Sequence, residues 1–413
     1  QIHATELHDM GLDGRGVLVG HFDDGIRLRA HEVFASMHVV AAHDFVDHDA
    51  DPAPPPGDPI AGAHGVATLS VLAGYRPGQL VGAAYGAGFL LARTENASSE
   101  TPLEEDNWVA ALEWADSLGV DVVSSSLGYR DYDPPYRSWT WRDMDGNTTV
   151  ITRAADRAAA LGILVVTAAG NEGDDPSHNT LLAPSDGDSV LAVGAVDPGG
   201  LRSPTSSVGP TAGNPPRTKP DVMAMGVADR IATAAGPTSY AFSSGTSFSA
   251  PLVAGAAALL LSKHPEACPM QLRDALRNTA SRAANPDNRY GWGIVNARAA
   301  LSYIEHPTDN AIACAYRLEP NFPNPFNPTT TLRYDLPEEA RVTLRIYDAA
   351  GRLVRSLVDG QRAARVHEVV WDGRNDAGRQ LGSGIYLCRL HAQGSPLGRE
   401  HLFVAERKLA IAR

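Results

Sequence analysis

The stretch Ser244-Gly245-Thr246-Ser247-Phe248-Ser249-Ala250-Pro251 decides how this chain reads. A Gly-containing turn presents one hydroxyl, Ser247, and runs straight into Ala250 to Leu261, an apolar stretch suited to a buried helix. A hydroxyl at such a helix start lies among exposed N–H groups and at the positive end of the helix dipole. The apolar stretch is too short to span a bilayer.

Working outward, three upstream segments supply what a nucleophilic serine lacks. The hydroxyl is weak at its free pKa and needs an adjacent base. His64, in Ala63-His64-Gly65-Val66-Ala67-Thr68, is the candidate base, able to take the Ser247 proton and pass it to a leaving amine. Asp23, in Phe22-Asp23-Asp24-Gly25-Ile26, would fix the imidazole tautomer and stabilise its cation. Asn171, in Ala168-Ala169-Gly170-Asn171-Glu172-Gly173, offers an amide N–H to an oxyanion, with the Ser247 backbone N–H as second donor. Each short motif alone is often a plain turn; the four together, in the order Asp, His, Asn, Ser, point to acyl transfer.

From Gly16 to about Ile304, strand-like and helix-like segments alternate. Strands are expected at Val17–Phe22, Leu80–Ala92, Val120–Ser124, Ile163–Ala168 and Val190–Val196. Helices are expected at Asn107–Leu118 and Ile151–Leu161. Such alternation implies an α/β fold with a doubly wound, mainly parallel sheet, whose chemistry gathers at the carboxyl ends of strands. Residues 305–328, punctuated by Pro307, Pro320, Pro323, Pro325 and Pro328, read as a linker. Beyond it the period becomes two, with Val342, Leu344 and Ile346 alternating against Thr343, Arg345 and Tyr347. Residues 329–413 therefore read as a small all-β sandwich.

On these motifs residues 1–304 resemble the subtilase (subtilisin-like) serine peptidase family. Further matches are Ser124-Ser125-Ser126-Leu127-Gly128, Gly209-Pro210-Thr211, Lys219-Pro220-Asp221-Val222 and Tyr290-Gly291-Trp292-Gly293-Ile294-Val295-Asn296-Ala297. The resemblance implies a serine endopeptidase of peptides and proteins, with Asp23, His64 and Ser247 as triad and Asn171 as oxyanion donor. It implies a substrate extended along Ser126, Leu127 and Gly128, with Ala168, Ala169 and Gly170 lining the S1 pocket. Small residues there suggest room for a sizeable apolar P1 side chain. The rival readings are an inactive surface or adhesion protein on the same fold, and an intracellular processing subtilase.

Several positions depart from the family pattern. Asp24 replaces the usual Ser or Thr, as in the kexin-like branch, and strand alternation would point it away from Asp23. Val66 lacks the hydroxyl of the usual Thr, and His21 is unusual in a buried strand, as a core histidine or a proton relay. The acidic segment Glu95, Glu100, Glu104, Glu105, Asp106 reads either as a solvated loop or as a preference for basic P2 or P4 residues. The chemistry requires no cofactor. Calcium is common in the family, and Asp44, Asp47, Asp49 and Asp51 crowd one loop, although Pro52 stands where an EF-hand needs Gly.

The formal charge of −13 argues against nucleic acid or anionic membranes as partners and suits a soluble secreted protein. No signal segment is visible in Gln1–Met10. Three cysteines make no disulfide framework; Cys268 and Cys314 either pair or stay as small hydrophobes like Cys388. Finally, Asn321-Phe322-Pro323-Asn324-Pro325-Phe326-Asn327-Pro328 with Leu344-Arg345-Ile346-Tyr347-Asp348, Val370-Trp371-Asp372-Gly373 and Ser383-Gly384-Ile385-Tyr386 resembles the flagellar-hook-capping-like Ig domain. Similar domains act as sorting signals of type IX secretion in some Gram-negative bacteria, which implies a bacterial, secreted or cell-surface protein with secretion machinery as a partner.

Overall fold

The computed structural model describes residues 1–412 except 28, 56–60, 306–313, 315, 338 and 395–400. The chain folds as two units, Gln1–Glu305 and His306–Arg413.

The first unit is built on strands β1 (Leu18–Asp23), β2 (His38–Asp44), β5 (Gly88–Arg93), β6 (Val122–Ser125), β7 (Leu164–Ala168), β8 (Leu191–Val196) and β9 (Val222–Met225), while β3 (Tyr75–Arg76) with β4 (Leu80–Val81) forms a small ribbon. The seven long strands order as β2-β5-β1-β6-β7-β8-β9, all parallel. Their near-continuous Val, Leu and Ala content follows from burial on both faces. Helices α2 (Ala63–Ala73) and α5 (Thr246–Lys263) cover one face. Helices α3 (Leu103–Ser117) and α4 (Val150–Ala160) cover the other, where Trp108 meets Phe22 edge to face with centroids 5.7 Å apart. The expected alternation is therefore present, with two differences. Leu80–Ala92 is not one strand: it splits at the turn between β4 and β5. His38–Asp44, too polar to read as a buried strand, lies at the sheet edge.

Helix α5 is longer than its apolar stretch, reaching 18 residues, and among the described residues it alone has the length and hydropathy to cross a membrane. Its side chains pack instead against β6, β7, β8 and β9 in the core. A buried ion pair ties the starts of β8 and β9. Lys219 Nζ donates to Asp221 Oδ2 at 2.7 Å and to the Val190 carbonyl at 3.0 Å, and the Ala192 N–H donates to the same Asp221 oxygen at 2.8 Å.

The strands of the second unit pair antiparallel. A sheet of β12 (Arg317–Leu318), β13 (Thr330–Leu336) and β16 (Arg365–Trp371) accompanies one of β15 (Leu353–Arg362), β14 (Ala340–Asp348), β17 (Gly384–Gly394) and β18 (His401–Ile411). Val342, Leu344 and Ile346 are fully buried with Trp371 and Tyr334, as the period of two requires. Of the expected linker, Pro307 lies outside the described residues, whereas Leu318 and Phe326 belong to this core.

Candidate active site

Asp23 closes β1 and is fully buried. Its Oδ1 accepts the His64 Nδ1–H at 2.6 Å and the Asp24 backbone N–H at 2.8 Å. Its Oδ2 accepts the Thr68 hydroxyl at 2.8 Å. His64 and Thr68 stand four apart on α2, hence on one face of the helix, which brings both to the same carboxylate. Sequence reasoning missed Thr68, although its i+4 spacing from His64 was the available signal. It supplies a hydroxyl where Val66, buried in the core, has none.

Asp24 does not turn away from the site as strand alternation suggested. Strand pairing stops at Asp23, so alternation no longer applies at the next residue. The Asp24 carboxylate accepts the Gly62 N–H at 2.9 Å and the Gly65 N–H at 2.7 Å. Gly62 is the N-cap of α2 and has no side chain to satisfy those donors, so the residue that follows β1 caps the helix instead. Burial and the neighbouring Asp23 push its carboxyl up to about 7, against the Gly65 N–H.

His21 shares the Asp23 face of β1. Its Nε2 lies 3.4 Å from Thr68 Oγ1 and 3.8 Å from Asp23 Oδ2, while Nδ1 has no partner among the described residues. Burial lowers its pKa despite Asp23, which keeps the ring neutral. Burial also opposes charging His64, but Asp23, then Asp24 and Glu95, outweigh it and raise its pKa to about 9. Burial opposes ionising Asp23 as well, and His64 nevertheless holds it well below the usual carboxylate range.

Ser247 is the second residue of α5. Its Oγ donates to the Ser126 carbonyl at 3.4 Å, and Ser126 Oγ donates to the Ser247 carbonyl at 2.7 Å. No Ser247–His64 hydrogen bond forms among the described residues, but α2 packs on α5 and the Phe248 ring lies 6.4 Å from the His64 ring. Asn171 Oδ1 accepts the Thr246 N–H at 2.9 Å and the Thr246 hydroxyl at 3.1 Å, which fixes the amide orientation. The two expected oxyanion donors flank Gly245: a β-carbon there would sit 3.7 Å from Asn171 Nδ2 and 3.8 Å from the Ser247 nitrogen. Asp23, His64, Asn171 and Ser247 thus gather where β1 and β7 end and α2 and α5 begin. The Asp23 carboxylate can stabilise a protonated His64, and an amide beside a helix start can hold a developing negative charge.

The expected substrate segments lie at the ends of β6 and β7, Ser126, Leu127 and Gly128 in one and Ala168, Ala169 and Gly170 in the other, with Ser126 and the latter three buried. Leu182 lies against both glycines, for a β-carbon on Gly128 would come 2.8 Å from its Cβ and one on Gly170 would come 2.9 Å from its Cγ.

The acidic segment also turns inward. Glu95 bonds the Tyr129 and Thr94 hydroxyls. Glu104 accepts the Asn96 and Thr101 N–H groups at the start of α3, and Glu105 accepts Tyr132, Trp139 and the Ile151 N–H. Only Glu100 and Asp106 of the five are exposed. Burial, with Glu104 nearby, pushes Glu95 up to about 8. In the crowded Asp loop a guanidinium stands against two of the four carboxylates. Arg93 Nη1 lies 2.7 Å from Asp44 Oδ2 and 2.5 Å from Asp47 Oδ2, while Asp49 and Asp51 accept backbone N–H groups.

Residues 14–293 match the Subtilase family model, and residues 326–395 match the FlgD Ig-like domain. The chain is 33% identical to subtilisin DY of Bacillus licheniformis over 299 residues, covering 72% of this chain and 96% of that protein. It is 33% identical to subtilisin E of Bacillus subtilis over 304 residues, covering 73% of this chain and 69% of that protein. Among solved structures, MycP1 with its N-terminal propeptide removed aligns with a TM-score of 0.57 at 24% identity, over 74% of this chain and 96% of the other. The prenylagaramide maturation protease PagA aligns at 0.56 and 23% identity, over 73% and 98%. The seven-stranded parallel sheet, the motifs at its carboxyl edge and these likenesses agree: the chain belongs to the subtilase family of serine peptidases.

Proposed function

We propose that this chain is a secreted serine endopeptidase that cleaves peptide bonds through an acyl-enzyme. The observation that carries this reading is the Asp23–His64 hydrogen bond of 2.6 Å, set beside a serine at the start of α5. Ser247 Oγ attacks the scissile carbonyl while His64 Nε2 takes its proton. The imidazolium is stabilised by Asp23, itself held by Thr68. Asn171 Nδ2 and the Ser247 N–H receive the oxyanion. His64 then protonates the leaving amine, and water repeats the sequence on the ester. No step needs a metal.

The rival, an inactive binding protein, draws on the Ser247 hydroxyl resting on Ser126 rather than on His64. Rotation about the Ser247 Cα–Cβ bond is what the active reading requires. A fluorophosphonate probe separates the two: the folded full chain is expected to label, and Ser247→Ala is expected not to. Absence of labelling in the wild type would support the binder.

Neutral His64 is the base, and its pKa is raised to about 9. The kcat/KM profile is therefore expected to climb from pH 7 through about 9 as the imidazolium loses its proton. The stability that the His64–Asp23 pair contributes runs the other way. It is full below the ordinary histidine pKa of about 6.5 and is lost as pH rises through about 9. A kcat/KM profile with its midpoint near 6.5 would contradict the assignment.

Thr68→Val removes the hydroxyl on Asp23 Oδ2 and is expected to lower kcat by roughly tenfold, the scale of one hydrogen bond to a charged group, with KM little changed. Thr68→Ser should restore most of the rate. Equal losses in both variants would make Thr68 a packing residue only.

Export is supported by the −13 charge and the FlgD-like second unit. Immunoblotting of cell fractions is expected to find the chain in the medium or at the cell surface; retention of all of it in the cytosol would overturn this part.

A further inference from the structure

We infer that Leu182 fills the slot in which the P1 side chain would seat, and so restricts this peptidase to small P1 residues, glycine, alanine or serine. The inference rests on the proposed function and names its substrate class. With the scissile carbon beside Ser247 Oγ and its oxygen toward Asn171, the P1 side chain leaves between the two segments flanking those groups. Ser126 is bonded to Ser247 in both directions, and Gly170 directly precedes Asn171. By the family resemblance, the slot is bounded by Ser126–Gly128 and Ala168–Gly170.

The backbone holds Leu182 across that gap. Its own N–H donates to the Ala169 carbonyl at 3.4 Å, on one wall. Ala183 exchanges two backbone bonds with Tyr129, at 2.9 and 3.1 Å, on the other. Leu181 and Ala183 point into the core and are fully buried, whereas Leu182 is half-buried. Its branched end contacts both wall glycines, and Gly170 has the Ser207 hydroxyl on its remaining side, 2.7 Å from where a β-carbon would stand. A phenylalanine or leucine entering here would have to displace a side chain pinned from both sides. Overpacking of that kind is destabilising, and a difference of a few methylenes changes kcat/KM by about 10- to 200-fold.

The test is a set of fluorogenic peptides identical except at P1, assayed on the full-length chain after titrating active sites with a fluorophosphonate. The wild type is expected to cleave the P1 alanine peptide with a kcat/KM at least about tenfold above that of P1 phenylalanine. In Leu182→Gly the phenylalanine-to-alanine ratio should rise by at least about tenfold. Leu182→Ala, a milder change, should move it in the same direction. Labelled wild-type enzyme that prefers phenylalanine or leucine would overturn the inference and leave the peptidase reading intact, as would a ratio unchanged in both variants. Failure of the wild type to label would overturn both.

Discussion

Two neighbouring carboxylates at the end of one strand hold the helix on which the site depends. Asp23 takes the His64 imidazole and the Thr68 hydroxyl; Asp24 takes the orphan N–H groups at the start of the same helix. The first interaction orients a side chain, and the second fixes the helix carrying it. Because β1 is central and parallel, with β5 and β6 on either side, neither carboxylate can shift without disturbing the sheet. The serine end is anchored by equally local means: Ser126, just past β6, clasps Ser247, and Asn171, in the turn after β7, grips Thr246. The groups are thus positioned by strand ends rather than by long loops, as expected where precise geometry is needed.

The electrostatics around His64 follow from this crowding. Burial disfavours every charge here, yet the imidazole gains more from the acids beside it than it loses. The paired charge makes a poor base at neutral pH and a stable ion pair. His21, kept neutral behind Asp23, adds no opposing cation. Nearby, Glu95, Glu104 and Glu105 are absorbed by tyrosine hydroxyls, an indole and backbone N–H groups. An acidic stretch in the sequence therefore presents few acids to a substrate, which removes most of the basis for expecting basic P2 or P4 residues.

Much of the fold was legible before any coordinates. Apolar segments at Leu164–Ala168 and Leu191–Val196 can be stable only with both faces covered, which dictates a parallel sheet between helices. The alternation at Val342, Leu344 and Ile346 dictates a half-buried antiparallel strand. The candidate site residues could be named for a similar reason: each sits in a short run whose glycines and strand end leave few alternatives. Leu182 was not legible in this way. Leu182 lies in an irregular segment, Thr180 to Pro184, where no period says which way a side chain faces. Arg93 was equally hidden, because it reaches the Asp44 loop only through the pairing of β2 with β5.

What the sequence determined by itself was the set of elements and the chemical groups at their ends, since hydrophobic period and turn chemistry are local properties. What only the tertiary structure decided was occupancy: which carboxylates meet a cation, which meet a helix end, and whether a slot between two glycines is empty or holds a leucine. Those outcomes depend on segments far apart in the chain arriving in one place, and no local pattern encodes the distance between them.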